Sequence, residues 1–189
     1  MSVASARNYL EELHIAFLEK HFYLYQSNSI AGPDMLSPHH SFEHKSKAYY
    51  LSSEGKPLEG TGWFIPEIQY KDYQSKTSND LYWIFIAYVP SMPLKEFLDQ
   101  NGLVTEEYIL HRDVFFADWH VCKDLPVGKA IEGSKRGPGR NIDVIYLKKN
   151  LDFRVYKLPK AKIFMQKDKD LEYLFKSGKK KSTKYPVWF

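Results

Sequence analysis

The stretch LYWIFIAYV, residues 81–89, decides the fold class: nine apolar and aromatic residues in a row, bounded by Asp80 and Pro90. A membrane span needs ~18 such residues, so this run is too short to cross a bilayer. It is also too continuous for a strand with one wet face. The reading is a strand buried on both faces, in the middle of a covered sheet. Outward from it, PEIQYKDYQSK (66–76) predicts a short helix with Pro66 at its first position, and LKEFLDQ (94–100) predicts another, stopped by Gly102. Further strands are expected at VFFADWHV (114–121), IDVIYL (142–147) and FRVYKL (153–158), and a last short helix at DKDLEYLFK (168–176). Upstream, SFEHKSKAYYL (41–51) alternates cleanly and reads as a strand. Residues 5–26 read as an amphipathic helix whose apolar arc holds Leu10, Leu13, Phe17, Leu18, Phe22 and Leu24. The mix is α/β, a mixed central sheet flanked by helices.

The chain has 189 residues, enough for one domain, and its 43% apolar and 26% charged content excludes wholesale disorder. Aromatic residues make up 16%, so even a small core gains large buried area from few rotors. Cys122 is the one cysteine, which excludes an intramolecular disulfide or a cysteine-based zinc site. No secretory leader precedes the first helix, so the expectation is a cytoplasmic protein without a membrane segment. The net charge of +4 is uneven: residues 1–122 carry −7 and residues 123–189 carry +11. Such a split suggests a polyanionic partner for the second part; a solvated lysine-rich face is the plainer alternative. The expected organisation is a single domain over 1–175, with its catalytic core at about 5–120 and a basic part at 123–175, then a basic tail at 176–189.

The chemistry concentrates in PDMLSPHHSFEHKSK, residues 33–47. A turn delivers Asp34 after Pro33, and nine residues on, the strand presents Glu43 and Lys45 on one face, with Phe42 and His44 on the other. Two carboxylates at that separation suit Mg²⁺, a hard cation that takes few protein ligands and fills the rest with water and phosphate. A lysine beside them can orient water or neutralise phosphate charge. Glu11 falls between Leu18 and Phe22 inside the apolar arc of the first helix, and a carboxylate aimed into protein requires a cation or a site.

Pro33-Asp34 with Glu43-His44-Lys45 resembles the PD-(D/E)xK nuclease motif of many type II restriction endonucleases, and Ser46 after the lysine is also common there. The resemblance covers about residues 5–90, in the order helix, strand, strand bearing the Glu-x-Lys, helix, strand. The pattern Trp83-Ile84-Phe85 with Tyr88 is similar to the short PvuII type. The resemblance implies a restriction-endonuclease-like fold and Mg²⁺-dependent hydrolysis of double-stranded DNA at a short sequence, leaving 5′-phosphate ends, by a homodimer. It implies Asp34, Glu43 and Lys45 as catalytic residues, with Asp34, Glu43 and Glu11 on the metal. A repair or structure-specific nuclease of the same fold, or a non-catalytic nucleic-acid-binding module, are the alternatives. Each residue also has a plain role: Asp34 as a turn cap, Glu43 and Lys45 as an edge-strand pair, Gln69 on a solvated helix face rather than at the site.

The basic part offers DNA contacts. Lys135, Arg136 and Arg140 lie in GSKRGPGR, where arginine can read guanine in a groove; a surface connection is the alternative. Lys179, Lys180, Lys181 and Lys184 in the tail suit phosphate contacts.

Overall fold

The computed structural model describes residues 2–28, 32–49, 62–76, 81–129 and 137–176. These form a mixed α/β structure built on a seven-stranded sheet with four helices. In chain order they are α1 (Val3–His21), β1 (Tyr25–Gln26), β2 (Met35–Leu36), β3 (Ser41–Ala48), β4 (Gly62–Pro66), α2 (Glu67–Lys76), β5 (Leu81–Pro90), α3 (Leu94–Asn101), β6 (Ile109–Asp118), β7 (Gly139–Asp143), α4 (Val144–Asn150), β8 (Phe153–Leu158) and β9 (Ala161–Gln166). The sheet order is β1-β2-β3-β5-β6-β9-β8, with β3 parallel to β5 and β6 parallel to β9; the other neighbours are antiparallel. β4 and β7 pair separately as an antiparallel ladder.

β5 is the central strand that its composition predicts, buried at nine of its ten positions. Its alternate residues feed two aromatic layers. Tyr82, Ile84 and Ile86 join Phe42, Val114, Phe116, Ile163 and Met165 beneath Phe17 and Leu18 of α1 and Phe22 just after it. Leu81, Trp83, Phe85 and Ala87 join Phe115, Phe164 and Trp119 beneath the β4–β7 ladder. Trp63 of β4 packs on Phe85 at 4.9 Å between ring centroids, and Trp83 stacks on Trp119 at 3.9 Å. Both faces are therefore sealed by rings, which supplies the area that a small chain needs.

Several expectations need correction. The first helix stops at His21 because Phe22 turns extended, and the chain runs directly into β1. Residues 142–147 are not one strand. Ile142 and Asp143 close β7, the Asp143 side chain accepts the Tyr146 N–H, and that cap starts α4 despite the β-branched Val144 and Ile145. Strand β6 ends at Asp118, where its side chain accepts the His120 N–H and starts a 3₁₀ turn over Trp119–Cys122. The helix expected at 168–176 is reduced to a 3₁₀ turn at Glu172–Leu174. Pro66 closes β4 rather than opening α2, and Gly139 and Arg140 belong to β7 rather than to a loop. The stop at Gly102 holds: its left-handed φ of 77° caps α3. Among the described residues no helix is long and apolar enough to cross a membrane.

Gly139 is where the β4–β7 ladder is tightest. A Cβ there would run into the Phe64 ring and stand 2.5 Å from the Ile65 carbonyl oxygen. Gly139→Ala is expected to destabilise the protein by about 1–3 kcal/mol, as overpacking does. Urea unfolding of the variant checks this; an unchanged midpoint would mean that the ladder yields freely.

Candidate active site

β2 is two residues long, so β3 has that neighbour only at Ser41 and Phe42. The next residues on the two strands are Asp34 and Glu43, and the ladder's end brings them side by side. Asp34 Oδ2 accepts the backbone N–H of His44 at 3.0 Å, so a carboxylate replaces the missing strand at this edge. The His44 ring also approaches it, with Nδ1 3.4 Å from the same oxygen. Burial opposes ionisation of Asp34, but the His44 contacts and the Lys45 charge hold its carboxyl below the usual range.

Glu43 has the opposite setting. Its side chain is only 3% exposed, on the face shared with Trp83 and Phe85. Oε1 accepts from Lys45 Nζ at 2.7 Å and from the Gln69 amide of α2. Oε2 has no hydrogen-bond partner among the described residues. Burial, reinforced by the Asp34 charge and opposed by Lys45, pushes the Glu43 carboxyl up to about 7. Two neighbouring carboxyls with pKa values pushed apart are a frequent feature of sites that handle protons or cations.

Asp34, Glu43 and Lys45 are thus brought together as expected, and the structure adds two residues from α2. Gln69 touches Glu43 rather than facing water. Tyr73, one turn further along the same helix face, donates its hydroxyl proton to the Gly32 carbonyl oxygen at 3.1 Å, and burial, then the nearby Glu43 charge, raises its phenol. The spacing of Gln69 and Tyr73 by four residues was the available signal, but on so polar a helix it did not stand out.

Glu11 is not part of this cluster. Only Ala6, Leu10 and His14 are buried along the first turns of α1, a stripe one residue wide, so Glu11 is exposed despite its place on the helical wheel. α1 instead brings His14 near His44, and burial, then the charges of Arg112 and His44, hold the His14 imidazole well below its usual pKa. Among the described residues no group of three or more His, Cys, Asp or Glu could hold a metal ion; two carboxylates, without a third, form the candidate pair.

Arg140 is corrected too. Its guanidinium pairs with Glu67 at the start of α2, donates to the Cys122, Lys123 and Leu125 carbonyls, and lies 5.3 Å over the Tyr70 ring. With its hydrogen-bonding capacity spent on the protein, it anchors α2 and the 122–125 turn and has no fork left for a base. Lys135, Arg136, Lys179, Lys180, Lys181 and Lys184 lie outside the described residues. Comparison of the chain with protein-family models, curated proteins and solved structures finds no match.

A glutamate whose pKa is higher folded than unfolded binds more protons in the folded state between about 4.5 and 7. Stability due to this group is therefore complete below that window and is lost as pH rises through it. Glu43→Gln removes the ionisation, so the variant is expected to exceed the parent in stability at pH 8 by about 1–3 kcal/mol and to converge with it towards pH 5. Denaturant unfolding at the two pH values checks this, and an equal difference at both would show that Glu43 is not raised.

Proposed function

We propose that the chain is a Mg²⁺-dependent endonuclease of the restriction type, hydrolysing double-stranded DNA at a short specific sequence and leaving 5′-phosphate ends. The observation that carries this reading is the meeting of Asp34, Glu43 and Lys45 where β2 ends, with Glu43 Oε2 buried and bare. The element order supports it: α1, the short β1–β2 pair, β3 bearing Glu43 and Lys45, β4 outside the main sheet, α2, then β5 parallel to β3. A restriction-endonuclease-like core is the fold reading that goes with this order.

The donor set fits the ion. Asp34 and Glu43 offer hard carboxylate oxygens, one of them without a hydrogen-bond partner, and Mg²⁺ accepts one or two carboxylates beside water and phosphate. When bound, the ion would polarise a phosphoryl oxygen and acidify a water. Gln69 and Lys45 hold Oε1 of Glu43 and leave Oε2 without a hydrogen-bond partner among the described residues. Lys45 Nζ, 24% exposed along its side chain, brings positive charge to where a phosphate would gain negative charge during attack. The aromatic layer beneath Glu43 keeps water from screening that charge. Cutting both strands of a two-fold site would use two copies of the chain, and a cytoplasmic location is part of the same reading. With Arg140 engaged internally, Lys135 and Arg136 are the loop cations left to approach a groove.

Incubating the full chain with plasmid DNA and Mg²⁺, then sequencing the fragment ends, tests this. Discrete ends at one short sequence support it. Cleavage confined to flaps, nicks or lesions would favour a structure-specific nuclease, and salt-sensitive binding without cleavage would favour a binding module. Lys45→Ala is expected to lower the cleavage rate by about 10²–10³ while DNA binding in Ca²⁺ is kept; cutting at the parent rate would overturn the site. Deleting residues 177–189, which hold four lysines and no acid, should weaken binding without changing the sequence cut. The salt slope should fall by about 0.9 for each phosphate that the tail no longer neutralises. A changed cleavage sequence would show that the tail reads bases.

A further inference from the structure

A second site candidate lies on another part of the molecule and is independent of the nuclease reading. A groove of about 370 Å³ runs between α1, the turn carrying Glu106, Arg112 of β6, and the Pro159–Lys160 turn joining β8 to β9. Its walls are apolar: Leu13, Ala16, Phe17 and Pro159. Its charge is cationic, from Lys20, Lys160 and Arg112, with Glu106 the one carboxylate among its lining residues.

The Arg112–Glu106 pair is lopsided. The Arg112 side chain is 1% exposed and fixed from three sides. Nε donates to His14 Nδ1 at 3.1 Å, the guanidinium lies 4.6 Å over the Phe17 ring, and both terminal nitrogens donate to the Glu106 carboxylate. Glu106 is half in water, 51% exposed, on a one-turn 3₁₀ segment. A buried guanidinium cannot shed its proton and demands an anion, but the fork accepts any carboxylate of matching geometry. Glu106, half in water, can be exchanged for another carboxylate, whereas Arg112 is held in place.

Lys160 supplies an independent observation. It has a φ of 56°, the left-handed region, directly after Pro159, where a tight turn favours glycine. Its carbonyl accepts the Arg112 backbone N–H at 2.9 Å, a bond that glycine would make equally well. The strained lysine is therefore not required by the turn. What it adds is an ammonium on the groove lining, and backbone strain of this kind concentrates where a side chain has a task.

We propose that this groove binds a small amphipathic carboxylate, with its apolar body against Leu13, Ala16, Phe17 and Pro159 and its carboxylate on Arg112 in the place of Glu106. Lys20 and Lys160 add positive charge around that anion. The Glu106 side chain then acts as a tethered occupant that holds the cation in the unliganded protein.

Octanoate is the probe, with octanol and acetate as controls, measured by calorimetry and ligand-observed NMR on the full chain. Octanoate is expected to bind at least tenfold more tightly than either control. Glu106→Gln removes the competing anion and should tighten octanoate binding at least threefold, with octanoate raising the variant's Tm by more than it raises the parent's. Lys160→Gly should keep the parent's Tm or exceed it, while weakening octanoate binding at least threefold. Octanol binding as well as octanoate would reduce the groove to an apolar crevice and overturn the proposal. So would unaltered affinity in Glu106→Gln, or in a Lys160→Gly variant that retains its Tm.

Discussion

The premature end of β2 is the constraint on which the site depends. An antiparallel partner two residues long satisfies β3 only through Phe42, and the next backbone N–H, that of His44, faces an open edge. An unmet N–H at a covered edge is costly, and the Asp34 carboxylate meets it. That single bond fixes Asp34 against Glu43. Glu43 in turn has its side chain on the aromatic face of the sheet, where an ionised carboxylate is disfavoured unless it is paired. Lys45 and Gln69 pair one of its oxygens, and the other is left bare beside Asp34. Proximity of two carboxyls, opposite shifts and a bare oxygen all follow from where one strand stops.

The position of α2 rests on a different interaction at some distance from the carboxyl pair. Glu67 opens the helix and is clamped by Arg140 of β7, whose guanidinium also gathers three carbonyls of the 122–125 turn. The β4–β7 ladder brings these parts together, and Gly139 permits the close contact with Phe64 and Ile65 that the ladder requires. Gln69 and Tyr73 reach the carboxyl pair only because α2 is held there. A residue expected to face DNA thus serves the site from within, as a positioning residue for a helix. Replacing it by lysine would keep the charge and remove the fork, and with it most of this geometry.

Much of the sheet was legible in the sequence because its signals are periodic. β5 is a continuous apolar run, β3 alternates, and the helix pattern of α1 is strong enough to locate it to within a few residues. Elements without a period were not legible: β1 and β2 have two residues each, and β4 is five residues in a turn-rich stretch. β9, a stretch to which the sequence reading assigns no element, is a regular strand hidden behind Lys162 and a turn. At Val144 and Ile145, β-branching suggested a strand while the capping Asp143 specified a helix, and the local hydrogen bond prevailed. Asp34, Glu43 and Lys45 could be named because their spacing is local. Gln69, Tyr73 and His14 could not, since each reaches the site through tertiary packing. Glu11 misled for the complementary reason: a wheel assumes one width of contact along a helix, and α1 is gripped narrowly at its start.

Behind the carboxyl pair lies a run of polar groups, of which Arg112, His14 and His44 are buried. Glu106 pairs with Arg112, Arg112 donates to His14 Nδ1, His14 faces His44, and His44 holds Asp34. Because Nδ1 of His14 accepts, its ring proton resides on Nε2, which has no partner among the described residues. Burial, followed by the charges of Arg112 and His44, keeps His14 well below its usual pKa, so it stays neutral between them. A neutral imidazole there separates the Arg112 cation from the His44 ring without adding charge of its own. Removing any member would expose a buried donor or charge, and such losses cost more than the bond itself. The sheet thereby fixes Asp34 from two directions, by the strand edge in front and by this polar chain behind. Glu43, whose Oε1 is held by Lys45 and Gln69, keeps Oε2 without a hydrogen-bond partner among the described residues, and an added cation would find that oxygen already desolvated.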